Sequence, residues 1–467
     1  MNILSFYIFI YYYSMPLKLP KLSIFLILLF SHSFGAGIRC GTANFVENSQ
    51  KKITRASYSA ATFSGKIESK ESKPFIIYYT KEGQHAAKSE YINSLVEYLH
   101  QAYKLYIDSL GMKKGILGAA KTYYYGQEVP QDFYPVEVIN MDCSIFGEVF
   151  YPDEGSPRAT QIAIENDFNC NVYKKPEELL KVTVFHELYH SFQTAYTAIT
   201  NNTIFWMEAS ATGVEEIGAP EVNDYIDFLY PIFRNPGKSM DDLSCDNGEC
   251  YAYSTLYLFL FSKLGAKFDS AIWSYFSKNP KDKFSMQLAR LADSLGYNPE
   301  NLFHEYARQI FYSGFRANSS SFWEDMPDWP TWYVKKRRET PEFLPVGTFD
   351  FIEKTGEEVP SVDFVARVNS LDGYQVWVLS RLLPSPVGEL AAYPNPWNPR
   401  KNPILHFKLP ENANEVEIRT SNGALLERIK REPGKPLDWQ PKKVPAPGIL
   451  YYRILPYGKN KVLILSY

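Results

Sequence analysis

The chain has 467 residues, of which 45% are hydrophobic, 22% charged and 16% aromatic, with 35 Tyr and 31 Phe. This excludes a disordered tail protein, a collagen and a coiled coil, and the length predicts roughly two to four domains. A net charge of −3 excludes the global basic field on which nucleic-acid binders depend.

Residues 15–36 (MPLKLPKLSIFLILLFSHSFGA) carry Lys18 and Lys21, then a nine-residue apolar run at 22–30, then the small-residue exit Ser33-Phe34-Gly35. The run is too short to span a bilayer and predicts a secretory signal cut near Gly35/Ala36, with Met15 as the expected start. A membrane anchor is the alternative. Nothing later reaches roughly eighteen uninterrupted apolar residues, so no transmembrane segment is expected in the mature chain.

Residues 36–72 are polar and rich in Ser and Lys, and predict a pro-segment or flexible lead-in. Strands are expected at 73–80 (KPFIIYYT), 134–141 (YPVEVINM) and 160–165 (TQIAIE), and a helix at 89–110 from the spacing of Tyr91, Leu95, Leu99, Tyr103 and Tyr106. A second helix is expected at 175–196, opened by Pro176 and followed by Glu177 and Glu178. Helical segments continue to about residue 314, one of them started by Asn298-Pro299-Glu300. Short strands follow at 349–382, and Pro384-Ser385-Pro386 reads as a linker.

Five cysteines fit an exported protein. Cys245 and Cys250 frame a turn-rich loop suited to a local disulfide, Cys143 and Cys170 offer a second pair, and Cys40 is left over.

The chemistry concentrates at Phe185-His186-Glu187-Leu188-Tyr189-His190, an H-E-x-x-H. Residues four apart share a helical face, so both imidazoles can bind one ion with Glu187 beside them as a proton acceptor. A pair of packed histidines with a solvated Glu is the alternative. Catalytic zinc takes three protein ligands, and Glu208 lies 18 residues after His190, room for a turn and a returning helix. Ala209, Ser210, Ala211 and Gly213 are small enough to let that helix approach closely, and Glu215 falls near the same face, placed to orient a ligand histidine.

His186–His190 followed by Trp206-Met207-Glu208-Ala209-Ser210-Ala211 resembles the gluzincin metallopeptidases, in particular secreted bacterial metalloproteases of the peptidase MA type. Their pattern is H-E-x-x-H, a gap, then W-x-E-x-x-A, and the resemblance covers residues 73–276. It implies that His186, His190 and Glu208 bind Zn²⁺, that Glu187 is the general base, and that a tyrosine, here Tyr251 with Tyr253 as the other candidate, stabilises the oxyanion. It also implies that an edge strand holds the substrate backbone, with TQIAIEND (160–167) as the candidate. No G-x-M-E-N-like exopeptidase signature is present, and Met207 replaces the Asn of the thermolysin-like Asn-Glu pair, so an endopeptidase acting on protein or peptide substrates is expected. Ile38-Arg39-Cys40-Gly41 resembles the cysteine-switch pro-segments of secreted metalloproteases, although a disulfide half-cystine is the plainer expectation for Cys40.

From Arg400 to Tyr467 there are 13 basic and 6 acidic residues, a local +7, while the rest of the chain has 36 basic and 46 acidic, −10. That sign change predicts a separate C-terminal module. Period-two alternation with short turns argues a small β-sandwich, with Leu405, Phe407 and Leu409 on one face. The order Tyr393-Pro394-Asn395-Pro396, strand, Asn422-Gly423 turn, Asp438-Trp439, Gly448-Ile449-Leu450-Tyr451-Tyr452-Arg453 resembles the Ig-like C-terminal sorting domain of type IX secretion substrates. It implies passage through the periplasm, engagement of the secretion machinery and delivery to the cell surface or outside. An adhesion or glycan-binding module is the alternative.

The expected fold class is therefore α+β. A signal peptide (1–35) and lead-in (36–72) precede a zincin-like domain with a mixed sheet and active-site helices (73–330). A small β-rich module and linker (331–386) and an Ig-like sandwich (391–467) follow. The expected function is a secreted, monomeric zinc endopeptidase that does not bind nucleic acid. The alternative is a non-catalytic surface-binding protein on the same scaffold.

Overall fold

Every residue of 75–80, 134–139 and 161–165 is buried, as expected of strands covered on both faces. A computed structural model describes Cys40 and residues 65–114, 123–124, 127–130, 132–150, 161–170, 174–234, 237–243, 245, 248–334, 344–353, 365–371, 374–383, 391–409, 415–432, 437–443, 445–455 and 460–466. The signal segment, its cleavage point, the Met15 start and the Pro384–Pro386 linker lie outside the described residues, as does the lead-in apart from Cys40 and residues 65–72.

The main elements of the first sheet are β1 (Ile67–Ser72), β2 (Phe75–Thr80), β3 (Tyr134–Ile139), β4 (Gly147–Phe150) and β5 (Gln161–Glu165). Their order in space is β1–β2–β3–β5–β4. The β2–β3 and β3–β5 pairs are parallel, and β1 and β4 close the two edges antiparallel. Helix α1 (Ser89–Lys104) connects β2 towards β3, burying Ile92, Leu95, Leu99 and Ala102, and runs on into a π-helical turn at Leu105–Ser109.

Two expectations are corrected here. The polar lead-in includes a strand: β1 reads IESKES because an edge strand exposes alternate residues and favours charge, which hides it in composition. The stretch 160–167 is not an edge, since β5 is hydrogen-bonded to β3 on one side and β4 on the other. The edge on this side of the sheet is β4, four residues that begin with glycine and are too short to show alternation.

Helix α2 (Pro176–Gln193) starts with Pro176, and Glu178 Oε2 reaches back 2.9 Å to accept from the Lys175 backbone N–H. From Val182 onward it is buried all round, a core helix rather than an amphipathic one. Helix α3 (Ile204–Gly218) returns beside it, followed by α4 (Ser254–Leu264), α5 (Phe268–Lys278), α6 (Phe284–Ser294) and α7 (Pro299–Ile310). Gly213 of α3 admits the ring of Tyr257 so closely that a Cβ there would lie 2.4 Å from it.

Strands β6 (Thr348–Glu353), β7 (Val365–Leu371) and β8 (Tyr374–Arg381) form an antiparallel sheet in the order β6–β8–β7. One face, with Phe349, Phe351, Val376 and Val378, belongs to the same apolar core as the helices. His304 Nδ1 on α7 lies 2.7 Å from Ser380 Oγ, and Arg308 Nε donates to Asn369 at 2.8 Å.

The C-terminal strands β9 (Ala391–Tyr393), β10 (Leu405–Lys408), β11 (Glu415–Thr420), β12 (Leu425–Lys430), β13 (Leu437–Trp439), β14 (Gly448–Leu455) and β15 (Asn460–Leu465) make two antiparallel sheets, β9–β10–β13 and β12–β11–β14–β15. They share a separate core that includes Trp397, Phe407, Ile418, Trp439 and Tyr452. The whole is a mixed α+β protein. Among the described residues no helix is long and apolar enough to cross a membrane.

Candidate metal centre

The two histidines of α2 are one turn apart, with ring centroids separated by 4.7 Å, and both are buried. Glu208 enters from α3. Its Oε2 lies 3.2 Å from His186 Nε2 and its Oε1 3.7 Å from His190 Nε2. A fourth donor, Cys40 Sγ, lies 3.4 Å from His190 Nε2. The ligand atoms of Cys40, His186, His190 and Glu208 all fall within 4.8 Å of one another, and this buried cluster could hold a metal ion.

The spacing passes a geometric test. Bonds of about 2.0–2.1 Å to nitrogen or oxygen and about 2.3 Å to sulfur, set tetrahedrally, place neighbouring donors about 3.3–3.6 Å apart. The separations of 3.2, 3.4 and 3.7 Å scatter around that value. Glu208 Oε1 is also buried without a hydrogen-bond partner among the described residues, an acceptor that a cation would satisfy.

The remote nitrogens are engaged in turn. His186 Nδ1 lies 2.6 Å from Glu215 Oε1, and His190 Nδ1 lies 2.7 Å from Gln193 Oε1. These contacts fix both rings with Nε2 turned towards Glu208. The Gln193 amide is held by donating to Met207 O and Ser210 Oγ, both at 3.0 Å, so the small Ser210 is where α3 grips α2.

Charge follows the same plan. Burial opposes ionisation of Glu208, yet His190 and His186 outweigh it and hold its carboxyl down to about 2. Burial likewise opposes charge on His186, but Glu208 and Glu215 push its pKa up to about 10. The carboxylates around these imidazoles make a site that calls for positive charge.

Glu187 sits beside the donors, 1% exposed, with burial pushing its carboxyl up. It packs on Gly147 at the start of β4, where a Cβ would come within 2.4 Å of Glu187 Cγ. Tyr251 is also buried, its ring edge-on to His186 at 6.0 Å. A small cavity is lined by Cys40, Phe146, Thr183, Glu187, Thr212 and Tyr251, together with His186. Tyr253 instead packs against Phe205, its ring 5.2 Å away.

Thus His186, Glu187, His190, Glu208, Glu215 and Tyr251 are brought together. Cys40 is not a half-cystine: the disulfides are Cys143–Cys170 and Cys245–Cys250, and Cys40 stands outside both. The plainer expectation fails because its partner group lies 150 residues away on α2, a separation sequence spacing does not reveal. Gln193 and Gly147 were not anticipated. Gln193 at three residues after His190 is a readable helical-face signal, whereas Gly147 depends on strand pairing. No protein-family model matches the chain, and no curated protein matches it.

Proposed function

We propose that the chain is a secreted zinc-dependent endopeptidase with a zincin-like catalytic domain. The supporting observation is that three nitrogen and oxygen donors from two packed helices converge beside a buried carboxylate, Glu187, at a cavity bordered by a sheet edge. The donor set His186, His190 and Glu208 suits Zn²⁺, which when bound supplies Lewis acidity and water activation near neutral pH.

Glu187 takes the proton of the attacking water and delivers it to the leaving amine nitrogen. The Tyr251 hydroxyl donates to the oxygen on which negative charge develops. The side of β4 turned away from β5, where Cys40 bridges Gly147, holds an extended substrate backbone by strand addition once Cys40 has left it. The disulfides suit an oxidising destination, and the C-terminal pair of sheets acts as an Ig-like sorting domain of the type IX kind, engaging the secretion machinery.

A second reading, a non-catalytic surface protein with structural zinc, draws on Cys40, since structural sites are closed by a fourth protein ligand. The test removes that ligand. In a Cys40→Ser chain, metal content and casein cleavage are measured beside the added changes Glu208→Ala and Glu187→Gln. The expectation is one zinc per Cys40→Ser chain, zinc and cleavage lost together with Glu208→Ala, and zinc kept with cleavage down about 10²–10⁴-fold in Glu187→Gln. Full zinc occupancy with no cleavage of any unfolded protein would favour the structural reading.

A further inference from the structure

Cys40 reaches the metal site from a segment far from α2 and α3 in sequence, and it does so with both its side chain and its backbone. The residue is fully buried, its sulfur completes the four-donor cluster, and its backbone forms a parallel bridge to Gly147. Gly147 opens the edge strand β4 and is also the residue against which Glu187 packs. The thiol is accompanied by Glu208 Oε1, the buried acceptor without a hydrogen-bond partner among the described residues, so two different side chains point to one cation.

We propose that Cys40 is a built-in inhibitory latch: its thiolate takes the fourth position on the metal held by His186, His190 and Glu208, and its backbone occupies the β4 edge where a substrate strand would dock. The inference rests on the metal-binding reading above and adds its regulation. Coordination releases the thiol proton to solvent, and opening the latch requires that sulfur be reprotonated, capped or carried away with its segment. Being part of the same chain, the latch acts at the high effective concentration of an intramolecular ligand, which a free substrate strand must overcome.

The latch has a spectroscopic signature independent of turnover. With the full chain loaded with Co²⁺ in place of zinc, wild type shows sulfur-to-cobalt charge transfer in the near ultraviolet, and Cys40→Ser binds Co²⁺ without it. Zinc also slows reaction of the single non-disulfide thiol with a disulfide reagent by at least about tenfold relative to the chelated chain, as expected if the open form is at most about a tenth populated. Casein cleavage by zinc-loaded Cys40→Ser exceeds wild type by a similar factor, and a mercurial thiol reagent raises wild type but not the variant. A Co²⁺ spectrum without the sulfur band, or cleavage equal in the two chains, overturns the latch and leaves the peptidase reading standing. The sulfur band with no cleavage in Cys40→Ser overturns inhibition and the peptidase reading while retaining the thiolate ligand. Failure of wild type to bind Co²⁺ or Zn²⁺ overturns both.

Discussion

At Gly147 a single hydrogen in place of a methyl group decides where the Glu187 carboxylate, the proposed proton carrier, can stand. A Cβ at this position would sit 2.4 Å from Glu187 Cγ and 2.9 Å from Cδ, and Glu187 is hemmed in by a buried helix that cannot yield much. Gly147→Ala in the Cys40→Ser chain is therefore expected to keep zinc, because the atoms nearest the methyl belong to Glu187 and not to His186, His190 or Glu208, and to lose roughly 10²-fold in cleavage through misplacement of Glu187. Unchanged cleavage would show that Glu187 tolerates displacement and would weaken its assignment as the proton carrier. The clustering of His186, Glu187, His190 and Glu208 was legible in sequence because helix periodicity converts spacing into shared faces. Gly147 was not, and Cys40 was so only as the lesser of two expectations, because each meets its partner across a long chain separation. That is a tertiary event without local periodicity.

Among the elements, α3 links the site to a second acidic group, the buried Glu216 beside the half-buried Asp325. Glu216, one residue beyond Glu215, turns away from the metal centre and accepts from Trp323 Nε1 at 3.3 Å, beside Asp325. Burial first, and then the Asp325 charge, raise its pKa to about 9, with Glu324 adding to the repulsion. Since the folded value lies above the unfolded one, near 4.5, the folded state binds the extra proton. The stabilisation is complete at low pH and is lost as pH rises from about 4.5 through 9. Glu216→Gln mimics the protonated acid, so its melting temperature minus that of wild type is expected to grow between pH 5 and pH 9, by at least about 2–4 °C. Thermal melts at fixed metal content decide this, and a difference flat across that range would refute the raised pKa. Helix α3 was readable from its small residues, although Gly213 proves to make room for Tyr257 on α4 rather than for α2. Strand β1 was hidden by its polarity and β4 by its length. The central strands, buried on both faces, stood out as apolar runs.

At the scale of the whole chain, the two largest apolar cores among the described residues divide the labour. The first runs from the central sheet through the helices to one face of the β6–β8–β7 sheet, which makes that sheet part of the body carrying the site. The second, between the C-terminal sheets, has its own membership, Trp397 among it. That ring is fully buried, lies 5.3 Å from Trp439, and its Nε1 donates to Asn402 O at 2.7 Å. Removing it leaves a large void and costs about 3–5 kcal/mol, comparable with the whole stability that a core of fewer than about 80 residues supplies. Trp397→Ala is therefore expected to unfold the C-terminal strands and expose them to protease at a temperature where the rest of the chain remains protected. Zinc content and, in the Cys40→Ser background, casein cleavage should stay at the level of the unmutated tail, since the ligands and Glu187 draw on the other core. Limited proteolysis read by mass spectrometry, run beside the metal assay, distinguishes the outcomes. If metal, cleavage and protection of the helices fall together with the tail, the two cores fold as one cooperative unit and the C-terminal region supports the site directly. If only the tail is lost, the C-terminal strands fold apart from the candidate metal centre, as the proposed role of a separable delivery module requires.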